Sequence, residues 1–164
     1  MKRIMTMLIA MVASLWPRRK LMNAWNGIAS GTHTGGKLTR YVEQAVSTRY
    51  LLGKKGTTSD LYVDICGADD VPDFIMTDEA DTAGDEIGVM ALGCGEGTAL
   101  MVASAAIVMT SVDFLVPAAS GKVRALPTSA GTYYVIGKPL EAASGDGELI
   151  EVAHCSPSPV TVTE

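Results

Sequence analysis

The chain has 164 residues, 48% of them apolar and 5% aromatic, which is room for one domain with a real core and an appended arm but is cramped for two domains. Its 17 glycines and scarce aromatics favour small, tightly turned β-structure with an aliphatic core over a large enzyme-like pocket. Residues 1–22 hold Lys2, Arg3, Arg18, Arg19 and Lys20 and no acid, so the rest carries 8 Lys and Arg against 18 Asp and Glu, a balance of −10 that repels phosphate backbones and argues against direct nucleic-acid binding.

Residues 1–30 are a different kind of sequence from the rest. Lys2-Arg3 precedes an apolar stretch over 4–16, which meets Pro17-Arg18-Arg19-Lys20. The stretch is too short to span a bilayer, and positive charge follows where a small-residue cleavage site belongs. Three readings stay open: a weak export or membrane-surface segment, an amphipathic arm that docks on a partner, or an upstream extension before a start at Met22. No membrane association is expected of the body. Gly31-Thr32-His33-Thr34-Gly35-Gly36 then reads as a linker.

From residue 38 the chain reads as short strands. Residues 38–46 are ambiguous between helix and strand, 49–54 and 61–66 read as strands, and Asp69-Asp70-Val71-Pro72 as a turn. Two similar hairpins follow. The first runs Phe74-Ile75, Glu79-Ala80, Gly84-Asp85-Glu86-Ile87-Gly88-Val89; the second runs Val135-Ile136, Glu141-Ala142, Gly147-Glu148-Leu149-Ile150-Glu151-Val152. Between them, Gly93-Cys94-Gly95-Glu96-Gly97 reads as a hairpin turn, residues 103–109 are the main place where alanines favour a helix but could equally continue the strand, and 112–116 and 122–126 are strands. Ser156-Pro157-Ser158-Pro159 breaks the pattern before a final edge strand at 160–163. The pattern predicts a mainly β fold, a small β-barrel or β-sandwich of short antiparallel strands with an extended N-terminal arm over residues 1–30 and a single domain over 31–164.

Motifs that carry chemistry are missing where they would be needed. Cys66, Cys94 and Cys155 are odd in number and far apart, as expected of reduced thiols acting as small buried hydrophobes. The His154-Cys155 pair lacks any metal-ligand spacing, the glycine cluster at 93–97 lacks the Lys-Ser/Thr ending of a phosphate loop, and Asp69, Asp70 and Asp73 lack the spacing of a calcium cage. No catalytic residue, metal site or cofactor is assigned, and no enzyme activity is expected.

Several segments together resemble the tailed-bacteriophage capsid decoration, or head cement, protein family. They are Gly31-Thr32-His33, Arg49-Tyr50-Leu51-Leu52-Gly53-Lys54, the run from Leu100 to Ile107, Gly121-Lys122-Val123-Arg124-Ala125-Leu126-Pro127, Gly131-Thr132-Tyr133-Tyr134-Val135-Ile136-Gly137 and Gly147-Glu148-Leu149-Ile150-Glu151-Val152. The resemblance implies a non-enzymatic virion protein, made in the host cytoplasm, that binds the major capsid protein on the outer surface of an icosahedral head, often as a homotrimer, and stiffens the shell. His33, Lys37 and Arg40, in the stretch before the first clear strand, are the candidate capsid contacts. Tyr133, Tyr134 and Phe114 are the candidate subunit contacts. The alternative is an exported small β-domain that binds a ligand or an envelope partner; the mass of the mature N-terminus separates the two, since cleavage near Ser14 or Ser30 favours export.

Overall fold

The computed structural model describes residues 36–94 and 97–163. These form ten strands, β1 (Lys37–Val42), β2 (Leu52–Lys55), β3 (Tyr62–Ile65), β4 (Phe74–Met76), β5 (Glu86–Ala91), β6 (Ala99–Val102), β7 (Leu115–Pro117), β8 (Val123–Ala125), β9 (Gly131–Pro139) and β10 (Leu149–Val162), with a 3-10 turn at Ala119–Gly121. The fold is mainly β, as the sequence predicts. The extension over 1–30 and residue His33 lie outside the described residues.

Strands β1-β3-β2-β4-β5 close into a barrel. Closure comes from β5 returning antiparallel to β1, with Leu38 opposite Val89 and Arg40 opposite Ile87. The β1–β3 contact is parallel, pairing Tyr41 with Tyr62 and Val42 with Val63. A second set of five strands follows in the order β6-β10-β9-β7-β8. Its two ends, β6 and β8, meet at a single parallel bridge from Ala103 to Val123, where the Ser104 N–H donates to the Val123 carbonyl at 2.8 Å.

The second set of strands, a five-stranded sheet whose ends meet only at that bridge and which is called the second barrel below, repeats the pairing of the first. The parallel contact Val42–Val63 recurs as Ala103–Val123, and the antiparallel pair Met76–Val89 recurs as Pro139–Val152. The isolated bridge Val46–Ala80 recurs as Ile107–Ala143. The Gly84 N–H donates to Val42 O at 2.8 Å and the Gly147 N–H to Ala103 O at 2.8 Å, from turns with φ of +89° and +84° that favour glycine. Equivalent interior side chains are buried in both barrels: Val46 and Ile107, Ala80 and Ala143, Ile87 and Ile150, Val89 and Val152. Only the hairpin of this duplication is visible in the sequence, with the right register for Gly84–Val89 against Gly147–Val152 but not for the rest. The ladders match Ala80 to Ala143 rather than Ala142, and Phe74-Ile75 to Gly137-Lys138 rather than Val135-Ile136. Matching by hydrophobicity fails because Ile75 is buried while its counterpart Lys138 is exposed.

Other expectations change with the pairing. Residues 103–109 contain no helix: Ala103 and Ile107 form bridges that build the second barrel, and tertiary pairing overrides alanine's helix preference. The hairpin turn expected at 93–97, a segment partly outside the described residues, does not join paired strands: β5 pairs with β1 and β4 while β6 pairs with β10. The Ser-Pro-Ser-Pro stretch does not end a strand. Strand β10 runs through it with a register shift between His154 and Ser158, and its far end, the expected edge strand, pairs with β9 from Ser158–Val135 to Val162–Gly131.

Two apolar clusters fill the molecule, and strands β2 and β4 serve both. Leu51, Phe74 and Met76 belong to the interior of the first barrel, whereas Leu52 and Ile75, their neighbours on the opposite face, join the core of the second together with Cys66 and Leu92. Burial on both faces explains why β4 reads as a continuous apolar run rather than an alternation. The junction is tight at Gly121: its N–H donates to Cys66 O at 2.8 Å, its φ is +71°, and a Cβ there would lie 2.8 Å from Leu52 O and 3.0 Å from Leu51 Cβ. Gly147 has a similar φ but open space around it. Gly147→Ala therefore costs only the left-handed backbone, roughly 1–2 kcal/mol, and Gly121→Ala adds overpacking of about 1–3 kcal/mol. Urea unfolding of the two variants should show Gly121→Ala clearly the weaker; equal midpoints would contradict this junction.

Candidate interaction surface

No charged or polar side chain is fully buried among the described residues. Among the same residues no three His, Cys, Asp or Glu side chains converge on a metal site, and no helix is long and apolar enough to cross a membrane. The polar groups serve local structure. The Glu43 carboxylate accepts the Thr57 and Thr58 N–H groups at 2.6 Å each, bonds that hold it below the usual carboxylate range. Asp70 receives Lys54 Nζ and the Gly67 N–H, both at 2.7 Å; the lysine, then the amide, lower its pKa while it raises that of Lys54. Asp73 accepts the Lys55 N–H at 3.2 Å, so two of the three clustered aspartates tie strands to loops. Of the thiols, Cys66 is buried and its pKa is pushed up to about 12 by burial, then by Asp70. Cys94 and Cys155 are exposed, which corrects the expectation that all three are buried.

The candidate contact residues fall in different places. Lys37 opens β1 and is exposed, at the edge of a groove lined by Leu38, Thr39, Thr77, Gly88 and Val89. Arg40 shares a face with the buried Ile87, so strand alternation turns it into the mouth of the first barrel. Its guanidinium lies 5.8 Å from the Phe74 ring centre and Nη1 donates to Thr39 O at 2.9 Å, while Nε is buried without a hydrogen-bond partner among the described residues. Lys37 and Arg40 are thus on one strand but present their charges differently.

Phe114 and the tyrosines are also separate. Phe114, just before β7, is 39% exposed with Lys138 Nζ 5.2 Å from its ring centre. Tyr133 and Tyr134 are half-buried on the part of β9 that pairs with the far end of β10. Tyr133 is held by its own barrel: Arg124 sits 5.9 Å over its ring and its hydroxyl donates to Ser129 O at 3.2 Å.

What the sequence does not reveal is where exposed apolar surface collects. Of the nine large apolar side chains exposed among the described residues, Leu61 and Val71 are on the first barrel, and Leu100, Val108, Met109, Phe114, Leu140, Leu149 and Val160 are on the second. Charge divides the opposite way. Residues 36–94 carry five Lys and Arg against eleven Asp and Glu, and residues 97–163 carry three against five. A single sequence hides this asymmetry, because an exposed Leu on a strand looks like any other apolar residue until its duplicate is seen to be Thr.

No family model and no curated protein matches the chain. Among solved structures it is similar to the head fiber gp8.5 N base of bacteriophage phi29, at 17% identity and a TM-score of 0.52, over 78% of this chain and 98% of that one. At that identity the likeness is one of fold.

One titration follows from the link between the barrels. His154 Nδ1 accepts the Gly93 N–H at 3.1 Å, and burial lowers the imidazole pKa below 6.5. The unfolded chain therefore takes up the proton first, so this contribution to stability is complete above the unfolded pKa and is lost as pH falls through the folded one. Stability measured from neutral to mildly acidic pH should decline in the wild type, and this component should be absent in His154→Gln; an identical slope in both would contradict the assignment.

Proposed function

We propose that this protein is a non-enzymatic component of a tailed-phage head, attached to the outer surface of the assembled icosahedral shell through the major capsid protein, as a homotrimer that stiffens the shell. The observation that carries the reading is the fold likeness to a head fiber base, which spans nearly the whole of that base. The decoration-family resemblance of the sequence points to the same place by a separate route.

The physical design suits the role. Two apolar clusters that meet along β2 and β4 give a rigid body, and repetition around a shell converts modest contacts into firm attachment. The acidic first barrel is poorly suited to DNA and well suited to life outside the shell. We assign the capsid contact to residues leading into β1, including His33 and Lys37. Arg40 acts in support, bracing β1 over Phe74 and so fixing the direction in which the preceding residues depart.

Full-length protein mixed with purified heads lacking it should cosediment with them at saturable stoichiometry and raise the temperature at which they release DNA. Lys37→Glu should weaken binding roughly tenfold, equivalent to ~1.4 kcal/mol, with unchanged thermal unfolding of the free protein. Failure to cosediment would overturn the reading.

A further inference from the structure

The duplication supplies an internal comparison for one polar site. On the second barrel Ile150 and Val152 are buried, so strand alternation turns Glu151 outward. Its carboxylate accepts the Thr98 hydroxyl, and its N–H donates to Glu141 Oε2 at 3.1 Å. The chain thus lays a carboxylate of its own across the outer face of β6 and β10.

The ladders identify the same place on the first barrel. Thr39–Gly88 corresponds to Leu100–Glu151, and the Thr77 N–H donates to Gly88 O at 2.9 Å as the Leu140 N–H does to Glu151 O at 2.8 Å. The Gly88 N–H donates to Asp78 Oδ2 at 2.9 Å, so Asp78 stands for Glu141. Lys37, two residues before Thr39, stands for Thr98, two before Leu100. Two members of the site have therefore changed in complementary directions. Gly88 in place of Glu151 removes the carboxylate, and Lys37 in place of Thr98 turns a neutral donor into a cation.

What remains on the first barrel is a groove of about 330 Å³, with Gly88 at its floor and Lys37, Thr39 and Thr77 around it. Thr77 Oγ1 lies 2.6 Å from the point a Cβ on Gly88 would occupy, so a hydroxyl faces the vacated side-chain position. Lys37 is exposed and takes part in none of the ion pairs among the described residues, which are Arg49–Glu79, Lys54–Asp70 and Lys122–Asp146. Asp78 adds a like charge, its Oδ2 also 2.6 Å from that point. Glu141 stands equally close to the Glu151 backbone on the second barrel, so one carboxylate at this place does not exclude another. A lysine with hydroxyl groups beside it makes the stronger, charge-assisted kind of hydrogen bond to an anion.

We infer that this groove takes a carboxylate from outside the chain: an Asp or Glu side chain of the capsid surface sits over Gly88, pairs with Lys37 and accepts hydrogen bonds from the Thr39 and Thr77 hydroxyls. The occupant is a single acidic side chain rather than a polyanion. The chain's own occupant of the equivalent place is a carboxylate, and residues 36–94, with eleven Asp and Glu against five Lys and Arg, repel an extended run of negative charge. The inference rests on the proposed attachment to the capsid and gives that contact its chemistry.

The test binds full-length protein to purified heads and treats the complex with a water-soluble carbodiimide, which joins an amine to a carboxylate in contact with it. Mass spectrometry of the digest should find Lys37 linked to an Asp or Glu of the capsid protein. Lys37→Thr, which installs the second barrel's residue, should weaken cosedimentation about fivefold. Gly88→Glu, which restores a carboxylate belonging to the chain, should weaken it by more than about tenfold. Both variants should melt near wild type. Thr39→Leu, again the second barrel's residue, narrows the groove and should also weaken binding, which keeps the test decisive if Gly88→Glu misfolds against Thr77. Absence of any Lys37 link to the capsid protein, or wild-type binding by Lys37→Thr and by the groove-filling variants, would overturn the inference. Wild type that does not cosediment with heads defeats the attachment itself and the inference with it, whereas cosedimentation that these changes leave intact defeats the inference alone.

Discussion

Everything in this molecule depends on β2 and β4 being buried on both faces. Leu51, just before β2, and Phe74 and Met76 of β4 fill the first barrel, and their neighbours Leu52 and Ile75 on the opposite face complete the core of the second. Five short strands enclose very little apolar volume, and an isolated barrel of this size is marginal. Sharing two strands makes one cooperative interior from two small ones. The cost is geometric: the connection into β8 must approach backbone to backbone at Gly121, where a side chain does not fit.

Duplication gives the structure an internal control. Where the two barrels agree, as at Ile87 and Ile150 or Val89 and Val152, burial explains the residue. Where they differ at exposed positions, folding does not, because one copy already folds with the alternative. Thr39 against Leu100 and Thr77 against Leu140 are differences of this second kind.

Much of the fold was legible in the sequence for a definite physical reason. Period-2 patterning and turn residues mark a half-buried hairpin, so Gly84 to Val89 and Gly147 to Val152 could be read as such. The wider repeat was not legible because barrel closure depends on bridges such as Val46–Ala80 and Ile107–Ala143, whose partners lie far apart in sequence and share no motif. Alanines at 103–106 suggested a helix because propensity is local while the Ala103–Val123 bridge is not. Of the candidate contact residues, Phe114 lay in a stretch legible as a strand, whereas the position of Arg40 in the barrel mouth follows only from its register against Ile87. Leu100 and Leu140 carried no sequence signal beyond hydrophobicity.

Cryo-electron microscopy of heads bearing this protein tests the account most directly. The account predicts density for both barrels on the outer face of the shell, in homotrimers, with residues before β1 running onto the capsid. Protein absent from the shell, or bound to it as isolated copies, would contradict it.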